Sequence, residues 1–150
     1  MQELNLPTFN HKLKKIEGNI YIFDIIRKKY ILLTPEEWVR QHFLHYLINH
    51  QQYPKSLIKL ESGLRYNKLS KRTDIQVYDR EGNIFMVIEC KAPFIQLTEN
   101  TFEQAALYNQ VLKAPYLTVT NGIIHYYCRT NWDTFKFSFL NELPVFDQIS

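Results

Sequence analysis

The chain has 150 residues, of which 45% are hydrophobic and 22% charged, with a formal net charge of +3. This composition excludes a disordered or fibrous chain and suits one globular domain, residues 1–150, built on a single core. No apolar run is long enough to cross a membrane and the start, MQELNLPTF, has no signal-peptide pattern, so a cytoplasmic protein without a membrane partner is expected. Cys90 and Cys128 lack metal-ligand spacing and are expected to be buried free thiols.

Residues 10–33 read as short strands, with a turn at Glu17-Gly18-Asn19 and a second hairpin turning at Arg27 to Lys29. An edge extension of the sheet, or a contact in a homodimer, is the role expected of this segment. Thr34-Pro35-Glu36-Glu37 starts a helix: Thr34 caps, Pro35 takes the first helical position, and Glu37 can complete a capping box. The helix should reach about Asn49, with Val39, Phe43, Tyr46 and Leu47 as its apolar stripe, Glu36 on that side and Glu37 pointing away. His42, His45 and His50 share no spacing with other good ligands and are expected to be surface or packing residues. Residues 56–64, SLIKLESGL, give the first strand of the core.

Arg65, Lys68, Lys71 and Arg72 follow with no acid among them. A basic segment beside a carboxylate site suits a polyanion, because carboxylates alone would repel phosphate. A solvated loop would have the same composition.

The stretch 73–91, TDIQVYDREGNIFMVIECK, reads as a hairpin. Ile75 and Val77 alternate in its first strand, which Asp74 opens, and Ile84 to Ile88 run nearly unbroken in the second. A turn centred between Glu81 and Gly82 sets Asp74 opposite Glu89, with Cβ atoms roughly 5 Å apart. Glu89 and Lys91 then share a face, and the Cys90 carbonyl lies between them. Two carboxylates and a lysine can serve metal-assisted hydrolysis of a phosphodiester, with carboxylate oxygens holding a magnesium-type ion and the lysine orienting water. A salt-bridged hairpin on a solvated face is the competing explanation of the same residues.

A helix is expected over residues 101–112, with Gln104 and Tyr108 one turn apart and sharing a face with Leu107 and Val111; Thr101 and Gln104 could form a capping box. Tyr116 to Thr120 and Ile123 to Cys128 flank Asn121-Gly122, a strong hairpin signal. Phe135 to Leu140 can add a last strand.

Asp74 with Glu89-x-Lys91 at the end of an apolar strand resembles the core motif of the PD-(D/E)XK nuclease superfamily, with Thr73 standing where the superfamily's name has proline. The wider run YPKSLIKLE, KRTDIQVYD, IFMVIECKAP, FEQAALYN and APYLTVTNG resembles the N-terminal nuclease domain of type I restriction-enzyme R subunits, most of all its stand-alone small bacterial form. The resemblance implies an α/β, restriction-endonuclease-like fold: a mixed central sheet flanked by helices over residues 33–128, preceded by a β extension over 1–32 and followed by an edge over 129–150. It further implies a DNA nuclease dependent on magnesium, which manganese can replace. Asp74, Glu89 and the Cys90 carbonyl would hold the ion, and Glu36 would add a ligand through water. Lys91 would position the attacking water, and Gln104 with Tyr108 would orient substrate or Lys91, as in a Gln-x-x-x-Tyr motif of the recombination-exonuclease branch. DNA is the expected partner, with a motor or restriction-modification subunit beside it. A non-catalytic nucleic-acid-binding module and a partner-dependent accessory subunit are the alternatives.

Overall fold

The computed structural model describes residues 2–60 and 74–146. The chain opens with a three-stranded antiparallel sheet, β1 (Leu13–Ile16), β2 (Asn19–Asp24) and β3 (Lys29–Leu32). Glu17 and Gly18, at φ 49° and 85°, make the first turn, since two left-handed residues match the twist of a tight hairpin. Asp24 builds the second: its Oδ1 accepts the backbone N–H groups of Ile26 (2.9 Å) and Arg27 (3.0 Å).

Helix α1 (Pro35–His45) begins where expected, with Thr34 Oγ1 accepting the Glu37 N–H at 3.0 Å. A further π turn, Tyr46–His50, carries it to His50. Val39, Phe43 and Leu47 of the expected stripe are fully buried, joined by Leu44. After a 3₁₀ turn at Lys55–Leu57, strand β4 (Ile58–Leu60) opens a second sheet. The remainder of the strand expected to Leu64, and Arg65, Lys68, Lys71 and Arg72 with it, lie outside the described residues.

Strands β5 (Ile75–Tyr78) and β6 (Ile84–Cys90) form the expected hairpin. The register is the expected one, Ile75 opposite Ile88, but it arises differently. Tyr78 pairs with Ile84 and the Asp79 N–H bonds the Asn83 carbonyl, so the turn is centred on Glu81 itself. A bulge in β6 then supplies the extra residue that restores the pairing below it.

Helix α2 (Glu99–Leu112) crosses from β6 to the parallel strand β7 (Tyr116–Thr120), and β8 (His125–Asn131) and β9 (Lys136–Leu140) follow antiparallel. The sheet order is β4-β5-β6-β7-β8-β9. Helix α1 covers one face, where Ile75, Val77, Met86, Ile88 and Cys90 join its apolar residues in one core. Helix α2 covers the other, with Phe102, Ala105, Ala106 and Leu112 packed on Val87, Leu117 and Val119. This is the expected α/β architecture, a mixed sheet between helices with an N-terminal β sheet added.

The helix α2 differs from its sequence reading in cap and in face. Its N-cap is Thr98, in a capping box with Thr101, so it starts a turn-fraction earlier than Thr101. Leu107 and Val111 are exposed, and the inward stripe runs Phe102, Ala105, Ala106, Asn109 and Leu112. Asn109 decides this: its side chain exchanges two hydrogen bonds with the Ala114 backbone (3.1 and 3.0 Å) and closes the helix end, where Lys113 is left-handed at φ 56°.

Gly122, in the β7–β8 loop, has φ 87°, and a Cβ there would lie 3.0 Å from a Leu4 methyl and 3.1 Å from Val39 Cγ2. Gly122→Ala should therefore cost roughly 1–3 kcal/mol in chemical denaturation, from backbone strain together with crowding against a stiff β-branched side chain.

Candidate active site

Asp74 stands one residue before β5, bracketing Glu89 on the neighbouring strand. Its N–H donates to the Ile88 carbonyl (3.1 Å) and its Oδ2 accepts the Cys90 N–H (2.7 Å). These two bonds fall on either side of Glu89 and set the two carboxylates across from one another, as the register implies. Lys91 Nζ lies 3.3 Å from Glu89 Oε2. Val87 packs under α2 whereas Ile88 and Cys90 pack under α1, and Glu89 stands between the latter two near the strand's end, with Asp74 and Glu36 of α1 close enough to act on its carboxyl.

Burial, with Asp74 as the next contributor, pushes the Glu89 carboxyl up to about 8, and Lys91 works against the shift. The shift favours the protonated form of Glu89, and a cation beside it would oppose that shift. Cys90, fully buried, has its thiol pushed well above the usual range by burial and then by Asp74. Cys90 and Cys128 are both free and buried, as expected.

The other half of the site comes from α1 and centres on Arg40, a residue the motif reading passed over. Its Nη2 donates to Asp74 Oδ1 at 2.6 Å and lies 3.3 Å from Glu36 Oε1, and its Nη1 binds Glu37 Oε1. Glu37 also accepts from Gln41 Nε2 at 2.8 Å. Glu37 therefore points inward and is buried, contrary to its assignment as an outward-facing cap residue; Glu36 is the half-exposed one, its side chain 45% accessible. The physical reason is the guanidinium. Burial opposes its charge, but Asp74 and Glu37 outweigh burial and hold its pKa above the ordinary value. A signal existed: Arg40 continues the spacing of Phe43, Leu44 and Leu47 along the buried face, where an arginine needs an acid partner.

The histidines of α1 pack, as expected. His42 Nδ1 lies 2.8 Å from the Trp38 carbonyl, and His45 stacks on Phe9 with centroids 4.0 Å apart. Burial lowers both, His45 to about 4. Among the described residues no group of three or more His, Cys, Asp or Glu side chains is set to ligate one ion. The donor set therefore does not fit a closed zinc-type site. Two carboxyl groups with spare lone pairs would suit only an oxygen-seeking ion that keeps several waters.

Residues 35–144 match the family model of the type I restriction enzyme R protein N terminus. The chain belongs to this family. No curated protein matches it. The region shared with the R-protein N-terminal family runs from the first residue of α1 past the end of β9, and so holds Asp74, Glu89, Lys91 and Arg40 while leaving out β1 to β3. Of the other candidates within the family segment, Gln104 is exposed on α2, on the outward side with Leu107 and Val111, and Tyr108 is half-buried. No helix among the described residues is long and apolar enough to cross a membrane.

Proposed function

We propose that this member of the R-protein N-terminal family is a magnesium-dependent nuclease that hydrolyses DNA phosphodiester bonds, alone or with a motor or restriction-modification subunit. The observation that carries the reading is the placement of Asp74 across from Glu89, with Lys91 at 3.3 Å from Glu89. Asp74, Glu89 and the Cys90 carbonyl would hold the ion, with Glu36 reaching it through water; manganese would serve as well. The ion, when bound, polarises the phosphate and lowers the pKa of water. Lys91 orients the attacking water and stabilises charge gathering on the phosphate. Arg40 on Oδ1 and the Cys90 N–H on Oδ2 fix the Asp74 carboxylate while leaving lone pairs spare for an ion. Gln104 and Tyr108 orient the substrate, and Arg65, Lys68, Lys71 and Arg72 draw in its backbone.

A second reading is a nucleic-acid-binding module without cleavage. Arg40 favours it, since a guanidinium on Asp74 already supplies positive charge at the carboxylates. Calorimetry separates the two. Magnesium or manganese should bind the wild type weakly and not bind Asp74→Asn. Affinity should rise as pH rises toward about 8, because Glu89 must lose its proton to the solvent before it can ligate. Equal, pH-independent binding by both proteins would remove Asp74 and Glu89 from the site and leave the binding module.

A further inference from the structure

The N-terminal sheet lies outside the family segment and has no part in the nuclease reading, yet its outer face is built like a binding surface. Directly opposed residues in an antiparallel pair share a face. Phe23 opposes Tyr30, Tyr21 opposes both Lys14 and Leu32, and the Phe23 N–H bonds the Lys12 carbonyl. The six side chains therefore form two rows on one face, Lys12-Phe23-Tyr30 and Lys14-Tyr21-Leu32. The opposite face carries Ile22 and Asp24, both fully buried, and Ile31, which packs on the core. So the aromatic rows look outward: Tyr30 is 37% and Leu32 50% exposed.

The lysines already lie over the rings. Lys12 Nζ is 5.6 Å from the Phe23 centroid and Lys14 Nζ 5.2 Å from that of Tyr30. Residues 12–32 carry Lys12, Lys14, Lys15, Arg27, Lys28 and Lys29 against Glu17 and Asp24, and the Asp24 carboxylate is buried in its own turn. Lys15 and Lys29, opposite Ile20 and Asp24, lie on the other face; the aromatic face keeps Lys12 and Lys14 and is thus cationic, and Glu17 at the turn is the segment's exposed acid.

We infer that this face binds single-stranded nucleic acid. Bases stack on Phe23 and Tyr30 while Lys12 and Lys14 swing off the rings to the phosphates. Stacking of a base on an aromatic ring is worth more than the exposed cation–π contact it displaces, so the exchange is favourable. The Phe23 and Tyr30 rings stand 66° apart at a centroid distance of 5.3 Å. Two bases can meet both rings only when turned out of a regular stack, which a single strand allows and a duplex resists. The inference is independent of the carboxylate site and goes beyond the proposed nuclease.

The test is fluorescence anisotropy on the full chain in EDTA, so that no cleavage intervenes, with labelled oligo(dT), oligo(U) and a duplex of about a dozen nucleotides. Single strands should bind the wild type more tightly than the duplex. Tyr30→Ala should weaken single-strand binding roughly tenfold and leave duplex binding unchanged. Lys14→Ala should flatten the salt dependence by about 0.7 in log–log slope. Tyr30→Trp, which keeps a stacking face, should bind at least as well as wild type, so that loss in Tyr30→Ala from a damaged sheet alone is recognised by failure of this rescue. Equal binding of oligo(dT) and oligo(U) assigns recognition to base faces and phosphates; preference for oligo(U) assigns RNA. Single-strand affinity that is unchanged in Tyr30→Ala, or that Tyr30→Trp fails to restore, overturns the inference.

Discussion

Lys91→Ala should reduce DNA cleavage by about 10²–10⁴-fold, the size expected when a group acting on the proton or charge of the chemical step is lost. Both carboxylates stay in place. The effect on metal binding has two opposing parts. Lys91 lowers the Glu89 pKa, so its removal strengthens proton competition below the folded value of about 8. Its removal also takes a positive charge away from the place where a cation would settle. Without Lys91 the Glu89 carboxyl titrates higher still, so only well above pH 8 does the second part act alone, and metal affinity there should equal or exceed that of the wild type. Glu89→Gln should instead lose metal binding and cleavage together. If Lys91 did no more than pair with Glu89 at 3.3 Å, with its own side chain 33% exposed, its removal would change stability by less than about 1 kcal/mol and leave cleavage untouched. A plasmid digest with manganese, run with and without a candidate partner subunit, and calorimetry well above pH 8 give the two readouts.

The same Glu89 shift makes folding stability depend on pH. A carboxyl raised in the folded state binds its proton more tightly there than in the unfolded chain. Its contribution is complete below the ordinary glutamate range and is lost as pH rises through about 8. On the magnesium reading, a hydrated divalent ion would reverse that loss by replacing the proton.

The parts of this protein legible in sequence are those set by local chemistry. Thr34-Pro35 marks the start of α1, and Glu17-Gly18 marks the first hairpin, because a cap and a left-handed turn each need particular residues at particular positions. The pairing of Ile75 with Ile88 was also legible, although the turn and the bulge that produce it were not; two half-steps in opposite senses leave the register where a simpler loop would put it. What escaped was set by contacts distant in sequence. Leu107 and Val111 look like core residues, but Asn109 locks the helix end and turns them to solvent. Glu37 looks like a cap, but an arginine one turn on draws it inward because that arginine is itself held by Asp74, 34 residues away. No window around α1 contains Asp74.

Arg40→Met should destabilise the fold by about 3–5 kcal/mol, the cost of stranding buried carboxylates by removing their shared cation. Arg40 and Asp74 are 7% and 5% exposed, and Glu37 6%, so water is poorly placed to replace the guanidinium. Glu37 keeps its bond from Gln41 and the more distant pull of Arg27, and Asp74 keeps the Cys90 N–H. Removing one stranded charge should recover part of the loss: Arg40→Met with Glu37→Gln should be more stable than Arg40→Met alone, a coupling that urea denaturation of both variants measures. Arg40→Lys keeps the charge but not the fork, and one ammonium cannot reach Asp74 and Glu37 in the geometry that two guanidinium nitrogens do. It should fall between wild type and Arg40→Met. Magnesium adds the decisive comparison. With Arg40 gone, the carboxylates have lost their resident cation, so the ion should raise the melting temperature of Arg40→Met more than that of the wild type. An equal rise in both would mean that Arg40 and the ion do not share the charge of Asp74, and that the arginine belongs to the core of the fold alone.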